Sequence, residues 1–206
     1  MLVILISGRG SNMQALLDAG VPVAAVVSNE PQAQGLRIAA ARGVATEVVA
    51  HRSYPSRETF DDALRKVVDR YAPRLVALAG FMRVLTPGFV AHYAGRMMNI
   101  HPSLLPAFPG LDTHARALAA GVKVHGCTVH FVTAELDHGP IIGQGALRVR
   151  PEDDAATLAA RVLKLEHALY PRAVRWFMEE RLAVSDGVVR VRNAGSADAQ
   201  LVVSPD

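Results

Sequence analysis

Short apolar runs rich in Val, Ile and Leu recur through the first half of the chain, at residues 2–6, 23–27, 45–49 and 75–78. Segments of helical character separate them. Runs that are apolar throughout, instead of alternating, are what strands buried on both faces of a parallel sheet look like. The clearest helix lies between the third and fourth runs. Phe60, Leu64, Val67, Val68 and Tyr71 share one face, while Asp61 and Asp62 stand four residues before Arg65 and Lys66 on the other. Pro73 ends it, because a proline ring clashes with a continuing helix.

A further strand at 96–100 leads into a proline-rich loop that reaches Gly110, followed by a short helix ending near Gly121. Beyond it the period changes. Residues 124–132 and 140–149 read as two longer strands joined by the turn TAELDHG, which predicts an antiparallel pair. Asp153 or Asp154 then caps a long helix whose stripe is Leu158, Val162, Leu165 and Leu169. Pro171 is expected to kink or interrupt that helix. A hairpin around Ser185, Asp186 and Gly187 follows, and residues 193–206 read as a loosely ordered tail. The pattern defines an α/β protein with one domain over 1–192. Its open twisted sheet is mostly parallel in the first half, gains antiparallel strands in the second, and has helices on both faces.

Composition narrows the function classes. With 206 residues, half of them apolar, the chain is long enough for one large core. A formal charge of +3 is spread without runs of like sign, which points away from nucleic acid and mildly toward small anionic ligands. The single cysteine, Cys127, leaves no internal disulfide and no Cys-rich metal site, and reads as a small buried strand residue in a reducing compartment. There is no basic leader ahead of MLVILIS, and no run approaches the roughly 18 apolar residues of a membrane span. The expectation is a soluble cytoplasmic protein.

Two stretches carry candidate chemistry. SGRGSNMQALL follows the first strand, and its glycines Gly8 and Gly10, with Ser11 and Asn12, suit a phosphate at a helix N-terminus. The same residues equally make a tight turn in which Ser11 or Asn12 caps the helix. Met13 replaces the third glycine of a dinucleotide fingerprint, so that reading is excluded.

The second stretch is NIHPSLLP. Asn99 and His101 are two apart at the carboxyl end of a strand, so they project to one face, and Pro102 keeps the residue before it extended. Ligands of open α/β sheets bind at that end. A carboxamide can hold a developing oxyanion, and an imidazole can exchange a proton beside it. Asp137, in the turn between the late strands, would orient and charge His101 if that turn folds over the strand end. His125 and His130 are five apart on one strand and face opposite sides, which argues against a zinc site, and His138 reads as a turn residue. No metal is expected.

Five ordered segments resemble the folate-dependent phosphoribosylglycinamide formyltransferase family: LISGRGSNMQAL, LAGFMRVLTPGFV, RMMNIHPSLLPAFPGLDTHARAL, GCTVHFVTAELDHGPII and LEHALYP. The resemblance implies a formyltransferase fold, with 10-formyltetrahydrofolate as co-substrate and glycinamide ribonucleotide as acceptor in purine synthesis. It implies small-molecule partners, no nucleic acid and no membrane, in a monomer or homodimer. On it Asn99, His101 and Asp137 form the catalytic trio. Gly10, Ser11 and Asn12 hold the ribonucleotide phosphate, and Glu166 contacts the ribonucleotide. Arg57, Met82, Arg83, Val84 and Leu85, with Asn99 and the backbone of Thr133, Ala134, Glu135 and Leu136, hold the folate.

Departures from the family pattern are Leu163, where a polar residue is expected, His138 in place of a frequent glycine, and the short connection DAGVPV. Two alternatives stand beside the transferase. A formyltetrahydrofolate hydrolase commonly has a second histidine where Pro102 follows His101, and a non-catalytic folate- or nucleotide-binding module would not need all three polar residues.

Overall fold

The computed structural model describes residues 1–195 and 199–204. Eight strands form one mixed open sheet in the hydrogen-bonded order 201–203, 141–148, 124–131, 97–101, 75–78, 2–6, 23–28 and 45–48. Contacts along the chain group into two compact units, Met1–Asn99 with Val132–Ala134 and Ile100–Phe131 with Glu135–Asp206.

The first unit contains β1 (Leu2–Ile6), α1 (Ser11–Asp18), β2 (Val23–Ser28), α2 (Gln34–Ala41), β3 (Ala45–Val48), a 3-10 turn (His51–Ser53), α3 (Arg57–Asp69), β4 (Leu75–Leu78) and α4 (Pro87–His92). It also holds the first residues of β5 (Met97–His101). β1 pairs in parallel with β2 and β4, and β4 with β5. Every residue of β1 is fully buried, which is why that strand reads as an unbroken apolar run. Phe60, Leu64 and Val68 of α3 pack with Val3, Val76 and Tyr93 in the core. Ser56 and Thr59 close a capping box at the start of α3, and Thr86 caps α4 with Pro87 in its first turn.

The second unit contains α5 (Thr113–Ala119), β6 (Val124–Phe131), β7 (Ile141–Arg148), α6 (Ala155–Met178), β8 (Leu182–Ser185), β9 (Val188–Val191) and β10 (Leu201–Val203). β6 and β7 are antiparallel as expected, and β8–β9 is the expected hairpin. Asp186 and Gly187 turn it with φ of 52° and 75°, the positive pair that a tight hairpin turn demands.

Two expectations need correction. α6 runs through Pro171 without a break. The missing N–H and the ring clash cost about 3 kcal/mol, but Leu169, Tyr170, Val174 and Trp176 are buried on either side, each contributing about 1.5–3 kcal/mol. The tail is not loose over its whole length either, since Leu201–Val203 pair in parallel with Gln144–Ala146. Glycine makes room for it. A Cβ on Gly143 would sit 2.9 Å from the Gln200 carbonyl oxygen, so only a bare backbone lets the tail approach.

Candidate active site

His101 ends β5 and is 5 % exposed. Its Nε2 lies 3.0 Å from the Phe108 carbonyl oxygen, which accepts from a ring N–H. Its Nδ1 faces the Asp137 carboxylate at 3.5 Å. The imidazole therefore lies between two acceptors, the Phe108 carbonyl and the Asp137 carboxylate.

Asp137 is held just as closely. Its φ of 55° turns the side chain back under the loop, and Oδ2 accepts the Gly110 N–H at 2.8 Å. His130 of β6 presents Nε2 to the other carboxylate oxygen at 3.9 Å, while its Nδ1 donates to the Phe131 carbonyl. Burial, first of all, depresses the His130 pKa. Sequence reasoning gave His130 no role; its approach to Asp137 depends on how the 131–140 turn folds, which no local pattern encodes.

The loop after His101 is built to return the Phe108 carbonyl. Ser103 Oγ donates to the Ala107 and Phe108 carbonyls at 2.6 and 3.1 Å. Thr128 of β6 donates to the Ser103 carbonyl at 2.7 Å and accepts the Leu105 N–H at 3.0 Å, and Gln144 of β7 donates to the Leu105 carbonyl at 2.9 Å. Side chains from the antiparallel strands therefore satisfy the backbone of a loop with little regular structure of its own. Behind it, His114 and His125 stack edge to face with Nδ1 and Nε2 3.2 Å apart.

Asn99 belongs to the first unit and stands two residues before His101 on β5, on the same face of the strand. In that unit the glycine loop takes a form that the capping alternative did not anticipate. Gly10 itself is the N-cap of α1, at φ 77° and with no side chain to offer, so the first-turn amides of α1 receive no side-chain cap. Gly35 packs against it. A Cβ on Gly10 would meet the Gly35 Cα at 2.8 Å, and the Gly35 N–H donates to the Gly8 carbonyl at 3.0 Å. Ser11 is half-buried and Asn12 is buried.

Among the remaining candidates, Arg57 is the first residue of α3 and is exposed. Met82 and Val84 are also exposed, Leu85 is buried, and the Arg83 guanidinium lies over the Phe60 ring at 5.8 Å. Thr133 to Leu136 form an exposed stretch, and Glu166 is buried on α6. His138 is an exposed turn residue, with Nδ1 3.2 Å from the Leu136 carbonyl. Asp61 corrects the helix reading. It lies not on the solvated face of α3 but in the interior at 3 % exposure, and Arg65 pairs with Asp62 instead. Among the described residues, no three His, Cys, Asp or Glu side chains are placed to share a metal ion.

A strand-end histidine beside a turn carboxylate, with a carboxamide two residues earlier, offers groups that can exchange a proton and hold an oxyanion. Residues 1–174 match the family model described as formyl transferase, and the chain belongs to that family. It is 49 % identical over 191 residues to the phosphoribosylglycinamide formyltransferase of Escherichia coli K12, with 90 % of each chain covered. It is 42 % identical to the trifunctional purine biosynthetic protein adenosine-3 of Gallus gallus, covering 94 % of this chain and 19 % of that longer protein. The phosphoribosylglycinamide formyltransferase of Coxiella burnetii, solved in complex with CHES, superposes with a TM-score of 0.90 at 44 % identity, covering 99 % of this chain and 98 % of that one. No helix among the described residues is long and apolar enough to cross a membrane.

Proposed function

We propose that this chain transfers the formyl group of 10-formyltetrahydrofolate to the amine of phosphoribosylglycinamide, releasing formylglycinamide ribonucleotide and tetrahydrofolate in purine biosynthesis. The observation that carries the mechanism is the approach of the Asp137 carboxylate, at 3.5 Å, to His101, the last residue of β5. An α-amino group with a pKa of roughly 8 is substantially neutral near physiological pH and already nucleophilic. The protein therefore needs to position it and to stabilise the tetrahedral oxyanion more than it needs a strong base.

Asn99 and charged His101 hold that oxyanion, with the substrate oxygen taking over the His101 N–H that otherwise donates to Phe108. The N–C bond to the amine forms, the bond from the formyl carbon to the folate nitrogen breaks, and the ammonium proton leaves as the folate nitrogen gains one. Asp137 orients His101 and assists the proton's passage to the departing nitrogen through water.

On the same reading, Gly10, Ser11 and Asn12 hold the ribonucleotide phosphate on the uncapped start of α1, and Glu166 contacts the ribonucleotide. Arg57 and residues 82–85, with Asn99 and the backbone of 133–136, hold the folate. We read 1–192 as the catalytic domain of a cytoplasmic enzyme that needs no metal and acts on two small molecules as a monomer or homodimer.

A spectrophotometric assay of folate release from 10-formyltetrahydrofolate, with and without the ribonucleotide, tests this. Release that requires the ribonucleotide and collapses in His101→Ala is the expected result. Release without it would make the chain a hydrolase, and no release in either condition would make it a binding module.

A further inference from the structure

The Met82–Leu85 segment joins β4 to α4 without regular secondary structure, yet side chains from elsewhere in the first unit pin both of its ends. At one end the Met82 N–H donates to Ser7 Oγ at 2.8 Å, and the Ser7 hydroxyl in turn donates to Asn29 Oδ1 at 2.5 Å. At the other end the Thr86 N–H donates to Asp61 Oδ2 at 2.6 Å, and Thr86 Oγ1 accepts the Phe89 N–H to start α4. Between the pins, none of the described residues accepts a hydrogen bond from the amides of Arg83, Val84 or Leu85.

Asp61 is an expensive way to fasten a loop. It is 3 % exposed, and its Oδ1 has no hydrogen-bond partner among the described residues. Burial, the largest effect, raises its pKa, against the pull of the Thr86 N–H and of Arg57 and Arg83. A buried carboxylate with a single strong hydrogen bond stabilises a fold less than an apolar side chain of similar size would. What it does supply is one fixed anion that holds a backbone amide next to the segment, close to both arginines assigned to the folate.

We propose, on the folate-transferase reading above, that Asp61 and Ser7 are positioning residues for the formyl donor. They fix the two ends of Met82–Leu85, so that its three unengaged amides and the Arg83 guanidinium meet the folate as a preformed edge. Preformation of this kind appears in the affinity for one substrate and not for the other.

The test uses the full chain with Asp61→Ala, Asp61→Asn and Ser7→Ala. Thermal melting checks the fold, fluorescence titration gives the Kd for a non-transferable formyl-folate analogue, and steady-state assays give KM for each substrate. Asp61→Ala is expected to raise folate Kd and KM about tenfold and leave the ribonucleotide KM within about twofold, as loss of one charge-assisted hydrogen bond predicts. Asp61→Asn keeps an oxygen for the Thr86 N–H and should recover most of the affinity. Ser7→Ala should show the same selectivity for folate, and it carries the test if Asp61→Ala does not fold. A folate Kd unchanged in folded variants, or an equal loss toward both substrates, overturns the proposal. A wild-type chain that fails to bind the analogue would instead overturn the folate reading itself, and it is measured first.

Discussion

Acid should unfold this protein partly through one histidine. His125 lies on β6 at 1 % exposure, against His114 and the ring of Phe108. Burial, then His114 and His101, lower its pKa from 6.5 to about 4. The unfolded chain takes up this proton near 6.5 and the folded chain only near 4, so between those values unfolding binds a proton. The stability that neutral His125 contributes is therefore complete above pH 6.5 and is lost as pH falls through about 4. At 1.36 kcal/mol per pH unit, that gap amounts to about 3 kcal/mol, a large share of the 5–15 kcal/mol typical of a domain. Urea unfolding at several pH values from 7 to 4.5, on the wild type and His125→Asn, measures it. The variant should start less stable at pH 7, having lost ring contacts, but should fall less steeply, by up to about 1.4 kcal/mol per pH unit between 6 and 4.5. Some slope will remain, because burial also lowers the pKa of His114 and His130. Equal slopes in the two proteins would refute the assignment.

Asp137→Asn keeps an oxygen for the Gly110 N–H but presents no charge to His101. Its kcat should fall by about 10²-fold or more with the melting temperature little changed, as steady-state assay and thermal melting together would show. Gly126→Ala would place a Cβ 1.7 Å from the Gly145 carbonyl oxygen across the β6–β7 pair, and should cost more than about 3 kcal/mol in urea unfolding or prevent folding. Gly10→Ala combines a φ of 77° with a Cβ at 2.8 Å from the Gly35 Cα, so the ribonucleotide KM should rise more than the folate KM in paired titrations. Asp154→Ala removes the capping box of α6 and should lower stability by about 1 kcal/mol by the same unfolding measurement.

What could be read in the chain was decided by whether a feature is local. β1 and β4 are buried on both sides, so their apolar runs had no competing interpretation, and α3 showed its stripe because one face meets the core. The pairing of Asn99 with His101 on one face followed from strand alternation alone. The continuity of α6 did not, since helix propensity at Pro171 is overridden by packing of residues on either side of it. β10 is three residues long and owes its place to missing side chains on β7, a signal carried by its partner strand. Asp61 was misplaced because an acid on a helix is ordinarily solvated, and only the fold shows it accepting the Thr86 N–H. Ser7 is not legible as a partner of Met82 in the sequence, because their hydrogen bond spans 75 residues.

The stretch from Asn99 to Gly110 shows why so many prolines follow His101. The two ring nitrogens of His101 each face an acceptor, and the sheet supplies neither. One comes from the loop's own backbone, and the chain must reverse within seven residues to bring the Phe108 carbonyl back to Nε2. The other comes from a turn 36 positions on, fastened to the end of the same loop through the Gly110 N–H. Phe108, Asp112 and Asp137 all adopt φ near +55°, which costs a non-glycine residue about 1–2 kcal/mol each. Those conformations persist because Ser103, Thr128 and Gln144 satisfy the loop's backbone groups, making any relaxed alternative lose buried hydrogen bonds. The rigidity of β6 and β7 is thus spent on holding two acceptors around one imidazole, and Pro102, Pro106 and Pro109 limit the other shapes the loop could take.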